Sequence, residues 1–129
     1  MKAIDTNLIV RILTNDDPGQ AARARSQVDR EDVLVLTTVV LETAWVLKSA
    51  FKRSGAEAAQ LLEAFAGLPT VVLEEPDRVA RALKAAKAGM DMADALHLAG
   101  ASDCEAFLSF DGRMVRAALE NGFIAVHEP

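Results

Sequence analysis

Tyrosine is absent from this 129-residue chain, tryptophan occurs once, and aromatics together make up 5%. A base-stacking platform of the single-strand-binding type is therefore not expected. Cys104 is the only cysteine. No internal disulfide can form and no thiolate metal cluster can be built, which suits a reducing, cytoplasmic setting. Long apolar runs are also missing. The longest, around residues 33–41, is broken by Thr37 and Thr38 and is far short of a membrane span. Asp5 stands where a secretory leader needs apolar residues, so secretion is not expected. Positive charge is not in excess either. The formal net charge is −5, which argues against a general electrostatic grip on nucleic acid but leaves room for a local basic rim.

What is present is a core. Hydrophobic residues make up 51%, and the length predicts one domain over residues 1–129. Short apolar, β-rich runs at residues 2–4, 33–36, 70–73, 106–109 and 123–126 read as strands. Between them lie helical patterns with start and stop signals. Asp17, Pro18 and Gln20 form one predicted capping box, and Ser54 with Glu57 forms another. Gly67 followed by Pro69 marks a helix end, and Gly89 and Gly122 mark two more. Further helices are predicted from Thr6 to Leu13 and from Val39 to about Phe51. Others run from Asp91 to Ala99 and from about Gly112. Residues 127–129 are expected to fray. Strands alternating with helices predict an α/β fold whose sheet is mainly parallel, with about five strands.

Acids recur where strands hand over to helices. Asp5 follows the first strand, and Asp111 follows the fourth. Asp94 sits in the first turn of an Ala/Leu-rich helix, and Glu42 lies about a turn inside its own. Each Asp has a plain role as a helix cap, and Asp91 is as good a cap as a ligand. Glu42 resists that reading, because Val39, Val40, Leu41, Ala44, Trp45, Val46 and Leu47 surround it in sequence. Its plain role is a solvent stripe or an ion pair with Arg53. In open α/β sheets, ligand chemistry gathers at the carboxyl ends of strands. Clustered carboxylates repel by about 4 kcal/mol per pair at ~4 Å and an effective dielectric of 20, so they stay ionised together only around a cation. Oxygen donors alone select hard ions, Mg²⁺ or Mn²⁺, which can activate water and stabilise a phosphoryl group. No Ser-His-Asp arrangement is visible. His97 is expected in the polar core or behind the acids, and His127 at the surface.

In this order, residues 3–7 (Ala-Ile-Asp-Thr-Asn), 40–44 around Glu42, 92–99 around Asp94 and 108–111 before Asp111 resemble the motifs of PIN-domain ribonucleases of the VapC toxin type. The resemblance runs from end to end of the chain. It implies a three-layer α/β/α fold and hydrolysis of RNA phosphodiesters. It also implies one or two Mg²⁺ or Mn²⁺ ions on Asp5, Glu42, Asp94 and Asp111. Thr6 and Ser109 would be orienting hydroxyls, with Ser109 standing where the family often has Thr. Asn7 would be a polar neighbour, and Asp91 the doubtful member. A VapB-type antitoxin and a homodimer are implied as partners, in a cytoplasmic protein with no membrane attachment. Arg11, Lys48, Lys52, Arg53, Arg113 and Arg116 are candidates for RNA phosphates, although each also suits a solvated surface.

Two rivals stay open. A haloacid-dehalogenase-type phosphatase also begins with Asp after its first strand, but it needs a second Asp where this chain has Asn7. A catalytically inactive PIN fold that only binds a partner is the other. A receiver domain lacks both its paired acid and its terminal Lys here.

Overall fold

A computed structural model describes residues 1–129. Five short strands alternate with seven helices: β1 (Lys2–Ala3), α1 (Thr6–Thr14), α2 (Pro18–Arg30), β2 (Val33–Val35), α3 (Thr37–Ser49), α4 (Gly55–Ala66), β3 (Val71–Leu73), α5 (Pro76–Lys87), α6 (Met92–Gly100), β4 (Phe107–Leu108), α7 (Gly112–Glu120) and β5 (Val126–His127). The architecture is α/β and every strand pair is parallel. The strands do not form one sheet. β1, β2 and β3 pair in that order, and β4 pairs only with β5.

The sheet interior explains its sequence. Val33 and Val35 are buried while Leu34 is half-buried, as expected for a central strand covered by helices. One cluster of 24 buried apolar residues runs from Ile4 through Ile9, Leu62 and Leu98 to Met114 and Val126. Burying an aliphatic side chain of this size contributes about 1.5–3 kcal/mol. α5 and α6 pack on each other, and Val79, Ala82 and Leu83 on α5 and Ala95, Leu98 and Ala99 on α6 are buried. No helix is long and apolar enough to cross a membrane.

Several element ends fall differently from the sequence pattern. Thr37 and Thr38 open α3 and do not close the strand before it. The reason lies elsewhere in the chain: the Thr37 N–H donates to Glu74 Oε1 at 2.9 Å, so a carboxylate just after β3 caps α3. That bond holds the Glu74 carboxyl below its usual pKa. The Asp17 box is half-formed. Asp17 accepts from the Gln20 N–H, but the Gln20 side chain accepts from Arg11 at 2.8 Å. The Ser54–Glu57 box is complete. His127 lies in β5 opposite Leu108, so the expected fraying does not reach it. Asn15 ends α1 in the left-handed conformation (φ 53°), which Asn tolerates better than most residues.

Candidate active site

α1 brings the first two candidate residues. Asp5 is its N-cap and accepts from the Thr6 N–H at 2.8 Å. Thr6 is buried, and its hydroxyl donates to Glu42 Oε1 on α3. This bond fixes one carboxylate oxygen of Glu42 to the residue next to Asp5. α3 buries Val39, Val40, Thr43, Ala44 and Leu47, so Glu42 emerges on the exposed face together with Trp45. The alternative ion pair with Arg53 does not form: Arg53 lies 3.8 Å from Glu57.

α6 brings the third. Met90 and Met92 are buried on either side of Asp91, which turns Asp91 outward as the N-cap of α6. The Asp91 side chain accepts from the Asp94 N–H at 3.0 Å. Asp94 is half-buried, and its pKa is raised above the usual carboxylate range. Burial is the main cause; the charges of Asp91 and Asp111 add to it, and those of His97 and Arg113 oppose it. Asp111 comes from the other strand pair. It caps α7 by accepting from the Arg113 N–H at 3.0 Å, and its own N–H donates to Ser109 Oγ at 3.0 Å. Arg113 Nε stands 3.7 Å from the Asp111 carboxylate, both largely exposed.

Two groups result. Asp5, Thr6 and Glu42 are joined where α1 meets α3. Asp91, Asp94 and Asp111 are near enough for Asp91 and Asp111 to oppose ionisation of Asp94. α3 packs on both α1 and α6. No three His, Cys, Asp or Glu side chains are drawn into a common coordination sphere. The capping roles of Asp5, Asp91 and Asp111 are real, and they coexist with the electrostatic grouping because a cap uses one carboxylate oxygen. Asn7 is exposed beside Thr6. His97 is not in a polar core: it is exposed and stacks on Phe107, centroids 6.4 Å apart. Among the basic candidates, Arg11 pairs with Asp16 at 2.8 Å. Lys48, Lys52 and Arg116 are exposed.

The PIN-domain family profile matches residues 2–120, a span that contains all of these acids. The chain belongs to the PIN-domain family. No curated protein matches it. PIN domains have a nuclease-like fold and are generally nucleases, commonly metal-dependent ribonucleases. The carboxylates and hydroxyls of this PIN domain are all hard oxygen donors, which fits a small divalent cation in ligand chemistry. The sequence pattern left three features unseen: the Glu74 cap on α3, and the exposed aromatics Trp45 and Phe110, one near Glu42 and one preceding Asp111. An exposed aromatic within an apolar-looking run carries no sequence signal of its exposure.

Proposed function

We propose that this PIN domain, a single domain over residues 1–129, is a metal-dependent endoribonuclease of the VapC toxin type. The observation that carries the reading is the Thr6 hydroxyl bond to Glu42, which joins a carboxylate of α3 to the residue beside Asp5 across 36 positions of the chain. Asp5, Glu42, Asp94 and Asp111 would hold Mg²⁺ or Mn²⁺, with Asp91 at the margin. Such an ion would supply activated water and offset charge on the phosphoryl group. Thr6 orients Glu42 through its hydroxyl, and Ser109 anchors the backbone at Asp111. Asn7 lies beside them as a polar contact for the strand. In the cell the domain acts in the cytoplasm as a homodimer. A VapB-type antitoxin restrains it by placing an Arg fork among the carboxylates.

The test is cleavage of mixed single-stranded RNA in Mg²⁺ or Mn²⁺ and in EDTA, with p-nitrophenyl phosphate as the phosphatase control. RNA products in metal and none in EDTA are expected. Asp5→Asn, Glu42→Gln, Asp94→Asn and Asp111→Asn should each reduce kcat/KM by about 100-fold or more, since metal stabilisation is worth several kcal/mol. Far-UV circular dichroism should not change. Near-normal cleavage by Asp94→Asn would remove the assignment. Turnover of the phosphate ester alone would favour the phosphatase.

A further inference from the structure

A groove of about 690 Å³ lies between α1 and α2, and Asn7, Arg11, Gln20, Arg23, Gln27 and Arg30 are among the residues that line it. No acidic side chain lines it. In a chain of net charge −5 this is a local reversal of sign. On α2, Gln20, Arg23, Gln27 and Arg30 recur at helical spacing, so they share one face. Arg23 and Arg30 are exposed and have no acidic partner. Arg30 makes one hydrogen bond, to the Ser26 carbonyl at 3.1 Å. Arg11 is held toward α2 by Gln20 and is partly offset by Asp16.

The position of the groove says what it is for. α1 is shared between it and the acids: Thr6 bonds Glu42, while Asn7, the next residue, lines the groove. We propose that the α1–α2 groove binds the phosphate backbone of the single-stranded RNA flanking the cleaved bond, through Arg23 and Arg30. This rests on the ribonuclease reading above. The acids repel a polyanion, so a strand brought to them needs cations along its path, and the groove that begins at Asn7 offers Arg23 and Arg30 on α2. From Arg23 to Arg30 the helix rises about 10 Å, enough to meet more than one phosphate of an extended strand. Apart from Leu8, Ala22 and Ala24 the lining side chains are polar or basic, and none is aromatic, so the contact is to backbone charge and is indifferent to base identity. An acidic protein segment is the other polyanion that could lie there; contiguity with the acids favours RNA.

The experiment measures binding of a labelled single-stranded RNA in EDTA, by anisotropy, as a function of salt. Each lost phosphate contact lowers the slope of log K against log salt by about 0.7, so Arg23→Gln with Arg30→Gln should lower it by about 1.4. Arg25→Gln, on α2 but outside the groove, should leave the slope as in the wild type. Arg23→Lys with Arg30→Lys keeps both charges and should restore the slope, which separates charge from any folding defect. A wild type that binds and cleaves RNA while the Gln pair keeps its full slope overturns the groove and leaves the nuclease standing. A wild type that neither binds nor cleaves RNA overturns both. Poly-glutamate binding lost in the Gln pair, with the RNA slope intact, assigns the groove to an acidic protein and overturns the proposal.

Discussion

Residues 2–100, with β1–β3 and α1–α6, supply nearly all of the buried apolar side chains. Residues 107–127, with β4, α7 and β5, supply Met114, Ala118 and Val126. The second region also exposes Leu108, Phe110, Val115 and Leu119. No backbone ladder joins the two; the contacts that bridge them include the stacking of His97 on Phe107 and of Arg81 on Phe123, 5.0 Å from guanidinium carbon to ring centre. Yet the candidate site draws Asp5, Glu42 and Asp94 from the first region and Asp111 from the second. A site split this way depends on how the smaller region docks as well as on its carboxylates. Stability and activity should therefore respond differently to changes in the two regions.

The largest contrast is in packing. Leu47 on α3 is fully buried, and Leu119 on α7 is 83% exposed. Leu47→Ala should cost about 2–5 kcal/mol, with the cavity adding to the lost transfer energy. Leu119→Ala should stay within about 0.5 kcal/mol. Urea unfolding of both variants measures this, and comparable losses would show that the second region is as tightly packed as the first.

The next contrast is between acids. In the first region Glu57 and Glu74 have lowered pKa values, because each accepts a backbone N–H at a helix start. Asp94, also in the first region, is raised instead, chiefly by burial. Its folded form holds the proton to higher pH than the unfolded chain does, so the ionised group costs stability above the folded pKa. That cost is relieved as pH falls through it. Metal-free Asp94→Asn should therefore melt higher than the wild type near neutral pH. The gap should close as pH drops toward the usual carboxylate range. Added Mn²⁺ at 100 times its Kd should stabilise the wild type by about 2.7 kcal/mol, and the variant by less. If the variant melts lower in EDTA and gains the same metal shift, Asp94 is a helix-dipole residue and the site is not shared.

The smallest effect probes the docking. Phe123→Leu removes the cation–π contact with Arg81, worth about 0.5–1 kcal/mol. The melting point should fall slightly, while kcat/KM on RNA should fall further than that loss of folded protein explains, because Asp111 shifts relative to Asp94. Cleavage that only tracks the melting point would show that the regions are coupled by other contacts.

The alternation of apolar runs with capped helical patterns was legible in the chain, and it determined the α/β class and the elements. Local chemistry suffices there: Ser54 and Glu57 cap one helix end within a single turn. The four acids were also legible, as carboxylates after strands or inside apolar helices. That they share one end of the fold was expected from their places after strands, but the contacts that bring them together were not legible. Thr6 reaches Glu42 across 36 positions, and the Glu74 carboxylate that caps α3 lies 37 positions from Thr37. Neither pair leaves a periodic trace. Register between short strands is equally silent, so one five-stranded sheet could not be told from sheets of three and two strands. Arg23 and Arg30 read as surface charge until α1 packed on α2 and made a groove of them. Local signals set which elements form, because a cap or a stripe is completed within one or two turns. Which side chains meet between elements is set by packing of the whole core, and only the tertiary structure decides it.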